Sequence, residues 1–130
     1  MAGTIIVDTI NSSVASTPPV FQANGTQIGT LCRAWVNFNG TGTVAIRASF
    51  NVSSITDNGL GDYTVNFTNA MPDANFATVV VAGQSDSGGY FNGAQMRNSA
   101  PTTTTTRIVT YSTAVDTNVD LNYNSVAIFR

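Results

Sequence analysis

The chain has no lysine, no glutamate, no histidine and a single cysteine. Each absence closes a class of chemistry. Without histidine there is no Ser-His-Asp or Cys-His catalytic pair and no imidazole ligand for a metal. Cys32 alone makes neither an internal disulfide nor a zinc cluster, and its alternation with apolar neighbours marks it as a small buried hydrophobe. Charged residues amount to 9%, against the usual quarter of a soluble domain. The five arginines are scattered singly and the net charge is −2, so no basic cluster exists to neutralise nucleic-acid phosphates. No apolar run approaches the roughly 20 residues of a membrane span, and membrane insertion is not expected. No glycine-rich loop leads into a helix, which removes the usual phosphate cradle, and no cofactor is expected. The first residues lack the basic region and apolar segment of a signal peptide, so synthesis in a cytoplasm is expected.

What remains is Thr, Val, Asn, Ser and Gly. Thr and Val favour pleated strands, Asn and Gly favour turns, and the strong helix formers Lys and Glu are missing. The expectation is an all-β chain of 130 residues with one main domain. Residues 1–30 differ from the rest. Ile5, Ile6, Val7 and Ile10 give a strand-like piece too short to stabilise itself, followed by an extended Ser/Thr/Pro stretch over 11–19. Asn24-Gly25 then centres a minimal hairpin. Such a hairpin is marginal alone, so 1–30 reads as an attachment arm and 31–130 as the β-domain.

From Leu31 the two-residue period is clean. Cys32, Ala34, Val36 and Phe38 share one face, opposed by Arg33, Trp35 and Asn37. Val44, Ile46, Ala48, Phe50 and Val52 are expected on the core face of the next strands, opposed by Arg47, Ser49 and Asn51. A three-residue loop at 40–42 sets Trp35 opposite Arg47, a cation–π pair worth roughly 0.5–1 kcal/mol if exposed. The parity slip between Val52 and Ile55 predicts a bulge near Ser53 and Ser54. Residues 57–62 are a turn, and Tyr63, Val65 and Phe67 line one face after it. Residues 76–82, centred on Val79-Val80-Val81, read as a strand buried on both faces. Further strands are expected over 90–97, 107–111, 119–123 and 126–129. Strands at this spacing with Gly, Asn and Asp corners indicate an antiparallel β-sandwich or jelly-roll with an extended N-terminal arm.

The seven aspartates are the only acids. Most sit in turns, where their side chains cap backbone amides, and the chain reads as a non-enzyme. The run Asp57-Asn58-Gly59-Leu60-Gly61-Asp62 lacks the alternating oxygen ligands of a calcium loop and reads as a hairpin turn. Trp35, with Arg47, is a candidate interface anchor or ligand platform, because it stands on the polar face of its strand. The other reading is that both faces of that strand are covered within the domain. Asp86, in the loop at 84–89, and the aromatic pair Tyr90 and Phe91 behind it are candidate receptor contacts. Ordinary core packing is the other reading of the two aromatics.

Three stretches carry a resemblance. Ala34-Trp35-Val36-Asn37-Phe38-Asn39-Gly40, Val44-Ala45-Ile46-Arg47-Ala48-Ser49-Phe50-Asn51-Val52-Ser53-Ser54-Ile55 and Gly61-Asp62-Tyr63-Thr64-Val65-Asn66-Phe67 resemble a β-domain of bacteriophage tail-fibre proteins, notably from phages of marine bacteria and cyanobacteria. The opening Gly3-Thr4-Ile5-Ile6-Val7-Asp8-Thr9-Ile10 is similar to the start of such virion proteins. The likeness spans roughly residues 1–83. It implies a non-enzymatic homotrimer on the particle exterior, made in a bacterial cytoplasm. Residues 1–30 would join other virion proteins in the tail or capsid, and the β-domain would face outward, with a host-surface glycan as candidate partner. The chain has almost no shaft, so a capsid decoration or head-fibre protein stands beside the tail-fibre reading. A stand-alone lectin is the third.

Overall fold

The computed structural model describes residues 21–23, 25–84, 92–113 and 116–130. The expectations placed on Ile5, Ile6, Val7, Ile10 and the 11–19 stretch, and on Asp86, Tyr90 and Phe91, lie outside the described residues. The described chain is all-β: eleven antiparallel strands and no helix among the described residues. It divides into two compact units, 1–31 and 32–130. The first holds the hairpin of β1 (Phe21–Ala23) and β2 (Thr26–Gly29), in which Ala23 pairs with Thr26 across the expected turn. Gly25 takes φ +76 there, a conformation glycine adopts without a Cβ penalty.

The second unit is a β-sandwich. One sheet has the order β4 (Ala45–Phe50), β3 (Cys32–Asn39), β11 (Tyr123–Phe129) and β7 (Ala77–Gly83). The other runs β5 (Val52–Gly59), β6 (Asp62–Phe67), β9 (Thr105–Ser112), with β8 (Asn92–Met96) and the short β10 (Thr117–Asn118) also pairing with β9. Alternation explains the core. Ala34, Val36, Phe38, Val126 and Ile128 of the first sheet are buried with Tyr63, Val65, Phe67 and Ile108 of the second. Phe38 meets Tyr63 edge-to-face with ring centroids 5.1 Å apart, and Phe67 meets Phe76 likewise at 5.6 Å.

A single residue turns the chain from one sheet to the other. Asn51, between β4 and β5, sits at φ +55. Its amide nitrogen donates to the carbonyls of Arg33 (3.1 Å) and Asn69 (3.2 Å), and its Oδ1 accepts from the Asn69 amide (2.7 Å). Asparagine tolerates the left-handed region, and these bonds hold it there. The opposite end of the sandwich is tied by polar groups. The Tyr63 hydroxyl lies between the Gly40 carbonyl (3.0 Å) and the Asp120 carboxylate (2.7 Å), which also accepts from the Gly61 amide (2.7 Å). A Cβ on Gly40 would collide with the Tyr63 hydroxyl, the Leu121 carbonyl and the Asn124 amide, so only glycine fits.

Four local expectations are corrected. Trp35 pairs with Phe50, not with Arg47, because the β3–β4 connection is longer than three residues and Arg47 is the extra residue of a bulge. That bulge reverses the parity of the strand, so Ala48 and Phe50 stand with Trp35 rather than in the core, and all of β4 is exposed. Strand β7 is not buried on both faces: Val79 and Val81 are 52% and 64% exposed. Near the C-terminus, residues 119–122 form no strand, and β11 is one continuous strand from Tyr123. The bulge expected after Val52 is present, with Ser53 as its unpaired residue.

Candidate functional site

Of the residues singled out in the sequence, Trp35 and Arg47 fall within the described chain. Both lie on the outer face of the β4-β3-β11-β7 sheet. The register pairs line up Phe50, Trp35, Ala127 and Val79 in one row across all four strands. The neighbouring row is Ala48, Asn37, Ser125 and Val81. Trp35 is 40% exposed and Phe50 55%. This is an apolar stripe that the strands build crosswise, and it leaves large side chains in water at a cost of roughly 1.5–3 kcal/mol each relative to full burial. A shallow groove of about 370 Å³ runs between Trp35 and the two valines.

Polar groups on this face are tied to one another. Asn37 donates to Ser125 Oγ (2.9 Å) and accepts from Arg47 (3.4 Å), whose guanidinium sits 4.7 Å above the Tyr123 ring centroid. Arg47 therefore does make a cation–π contact, but with a tyrosine two strands away instead of Trp35. Arg33 and Arg47 are the only charged residues in these four strands, and no acid is among them.

The outer face of the other sheet has the opposite character. Asn66 donates to Ser54 Oγ (3.1 Å) and Thr56 Oγ1 (3.0 Å), and Asn58 donates to Thr64 Oγ1 (2.9 Å). Asp62 accepts a bidentate pair from Arg107, at 2.7 and 2.9 Å, and lies 3.4 Å from Arg97. Beside this ladder, Gln95 of β8, Val109 and Tyr111 of β9, and Asp116, Thr117 and Asn118 at β10 surround a hollow of about 300 Å³. Sequence reasoning did not find it, because its walls come from three strands whose neighbourhood is set only by register.

Titration is perturbed where the fold needs a fixed partner. Burial, the hydrogen bond to Asp120 and the charges of Asp120 and Asp57 together push the Tyr63 hydroxyl far above its usual range. The hydrogen bond from Arg130 and that from the Asn75 amide lower Asp73. Asp57 caps the Gly59 amide at 2.9 Å, the role expected of a turn aspartate.

Comparison of the chain with protein-family models, with curated proteins and with solved structures finds no match.

Proposed function

We propose that this chain is a non-enzymatic structural protein of a bacteriophage exterior, fibre-like, assembled as a homotrimer. Residues 1–30 attach it to other virion proteins, and the β-domain is displayed toward the host. One observation carries the assembly reading: the outer face of the β4-β3-β11-β7 sheet presents Phe50, Trp35, Ala127 and Val79 as a continuous apolar row with no acidic residue in any of its strands. Exposed apolar patches of this kind mark association surfaces, and aromatic residues are enriched among the anchors of interfaces.

Size and low charge favour further copies of this chain as the cover. Four strands about 4.8 Å apart and about seven residues long give a face of roughly 19 by 23 Å. That is about half of the ~800 Å² each partner gives to a standard interface, the right scale for an apolar interface core with a polar rim. The face is poor in charge, so identical copies meet with little repulsion to overcome. The resemblance of residues 34–67 to phage fibre domains supports reading such an assembly as part of a virion.

Immunogold labelling of intact phage particles tests the placement. Label on the tail or its fibres supports the fibre reading. Label spread over the head replaces it with capsid decoration, and unlabelled particles end the virion reading altogether.

A further inference from the structure

We infer that the hollow between β8, β9 and β10 is a binding site for one neutral sugar unit of a glycan. It deepens the reading of the β-domain as an outward-facing module, and it rests on that reading for the biological source of the glycan. The site itself stands on its walls.

Gln95 and Asn118 bring side-chain amides, Asp116 a carboxylate, Thr117 a hydroxyl and Tyr111 a phenol, around a floor that includes the buried Val109. Among the described residues, no hydrogen bond or ion pair occupies the side chains of Gln95, Tyr111, Asp116 or Asn118. The contrast with the other described aspartates is sharp. Asp57 caps Gly59, Asp62 is clamped by arginine, Asp73 pairs with Arg130, and Asp120 accepts from Gly61 and Tyr63. Only Asp116 among them is left with its full acceptor capacity, and it lines the hollow.

Such a set matches the chemistry of a pyranose. Adjacent hydroxyls each offer a donor and an acceptor, and paired amide and carboxylate groups answer both. The C–H face of the ring needs an aromatic surface, and Tyr111 supplies one: its ring lies across Gly93, where any Cβ would overlap it. A volume of about 300 Å³ is at the small end of ligand pockets, which suits one sugar unit of a longer chain. The lining carries a carboxylate and no cationic side chain, so sialic and uronic acids are disfavoured.

The test uses the full chain, ¹⁵N-labelled, titrated with the methyl glycosides of glucose, galactose, mannose and N-acetylglucosamine, with sialic acid as the anionic comparison. At least one neutral glycoside should shift the amides of residues 95, 111 and 116–118 at millimolar concentration, and sialic acid should not. Asp116→Gly removes the carboxylate without strain, because Asp116 sits at φ +48, where glycine is at ease. It should weaken binding by about tenfold, the worth of a charge-assisted hydrogen bond. Asp116→Asn keeps the backbone preference, and Gly93→Ala displaces the Tyr111 ring; both should weaken binding while the remaining spectrum stays folded. Asp73→Asn, outside the hollow, should bind as the wild type does. Silence from all four neutral glycosides, shifts elsewhere on the domain, or preference for sialic acid overturns the site. Each of those outcomes leaves the assembly proposal to its own test, since oligomeric state is read separately from these spectra.

Discussion

The two sheets of the sandwich share one core and turn unlike faces outward. On the β5-β6-β9-β8 sheet the outer side chains of β5 and β6 are satisfied by polar partners: Asn66 bridges Ser54 and Thr56, and Asp62 is held by Arg107 and Arg97. On the β4-β3-β11-β7 sheet the outer row is Phe50, Trp35, Ala127 and Val79. Folding requires only the inner faces. A sheet that needs nothing outside can afford polar ladders, whereas an apolar outer row is costly in water and is retained where a partner covers it. On the proposed reading, the apolar sheet is the one that assembles and the polar sheet is the one left for the glycan.

The comparison can be broken most forcefully at its apolar end. Trp35→Asp places a carboxylate in the middle of the row and should weaken self-association by about a hundredfold or more, ~3 kcal/mol, as read by sedimentation equilibrium. Thr64→Asp, on the polar face beside Arg107, should leave association unchanged. Next in size is the link between the sheets. Asn51→Ala loses three hydrogen bonds and keeps a positive φ that alanine resists, so urea denaturation should show a loss of about 2–3 kcal/mol.

The polar lock gives a smaller effect with a pH signature. Tyr63→Phe removes a buried hydroxyl from between Gly40 and Asp120 and should cost about 1–2 kcal/mol at neutral pH. In the wild type the folded Tyr63 holds its proton to higher pH than the unfolded chain, whose ordinary value is 10.0. Above that value the unfolded state binds fewer protons, so this tyrosine makes stability fall as pH rises past 10.0. Melting curves across that range should fall more steeply for the wild type than for Tyr63→Phe. Smallest is the polar ladder itself. Asp62→Asn should cost about 1 kcal/mol, because Arg97 and Arg107 remain well exposed and solvent screens what they lose.

Much of this architecture was legible in the chain, and the failures have a common cause. The alternation in residues 34–38 and 63–67 matches the inner faces, because an uninterrupted run keeps its parity, whereas Cys32, expected in the core, is only partly buried where the β3–β11 register shifts. The bulge at Ser53 announced itself through the parity slip to Ile55. The bulge at Arg47 did not, since Ile46, Ala48 and Phe50 look like one continuous apolar face whether or not the pairing slips. Val79-Val80-Val81 read as doubly buried because an apolar run covered on both faces and one with an exposed outer face have the same composition. The polar neighbours of Trp35 allow either an exposed platform or a strand covered on both faces, and its 40% exposure in the single chain fits the first. The companions that make it a row, Phe50, Ala127 and Val79, are brought to it by strand order, which local sequence does not encode. The same holds for Gln95, Tyr111, Asp116 and Asn118 around the second hollow.

Trp35 is the chain's single tryptophan, which makes the proposed assembly face directly observable. Acrylamide quenching of its fluorescence in the full-length native protein is the most direct test. Trp35 is 40% exposed in the single chain, so assembly through this face should shield its indole, and Val81→Asp should restore access for the quencher. Quenching at the level of a part-exposed tryptophan, the same in the wild type and in Val81→Asp, would contradict the account.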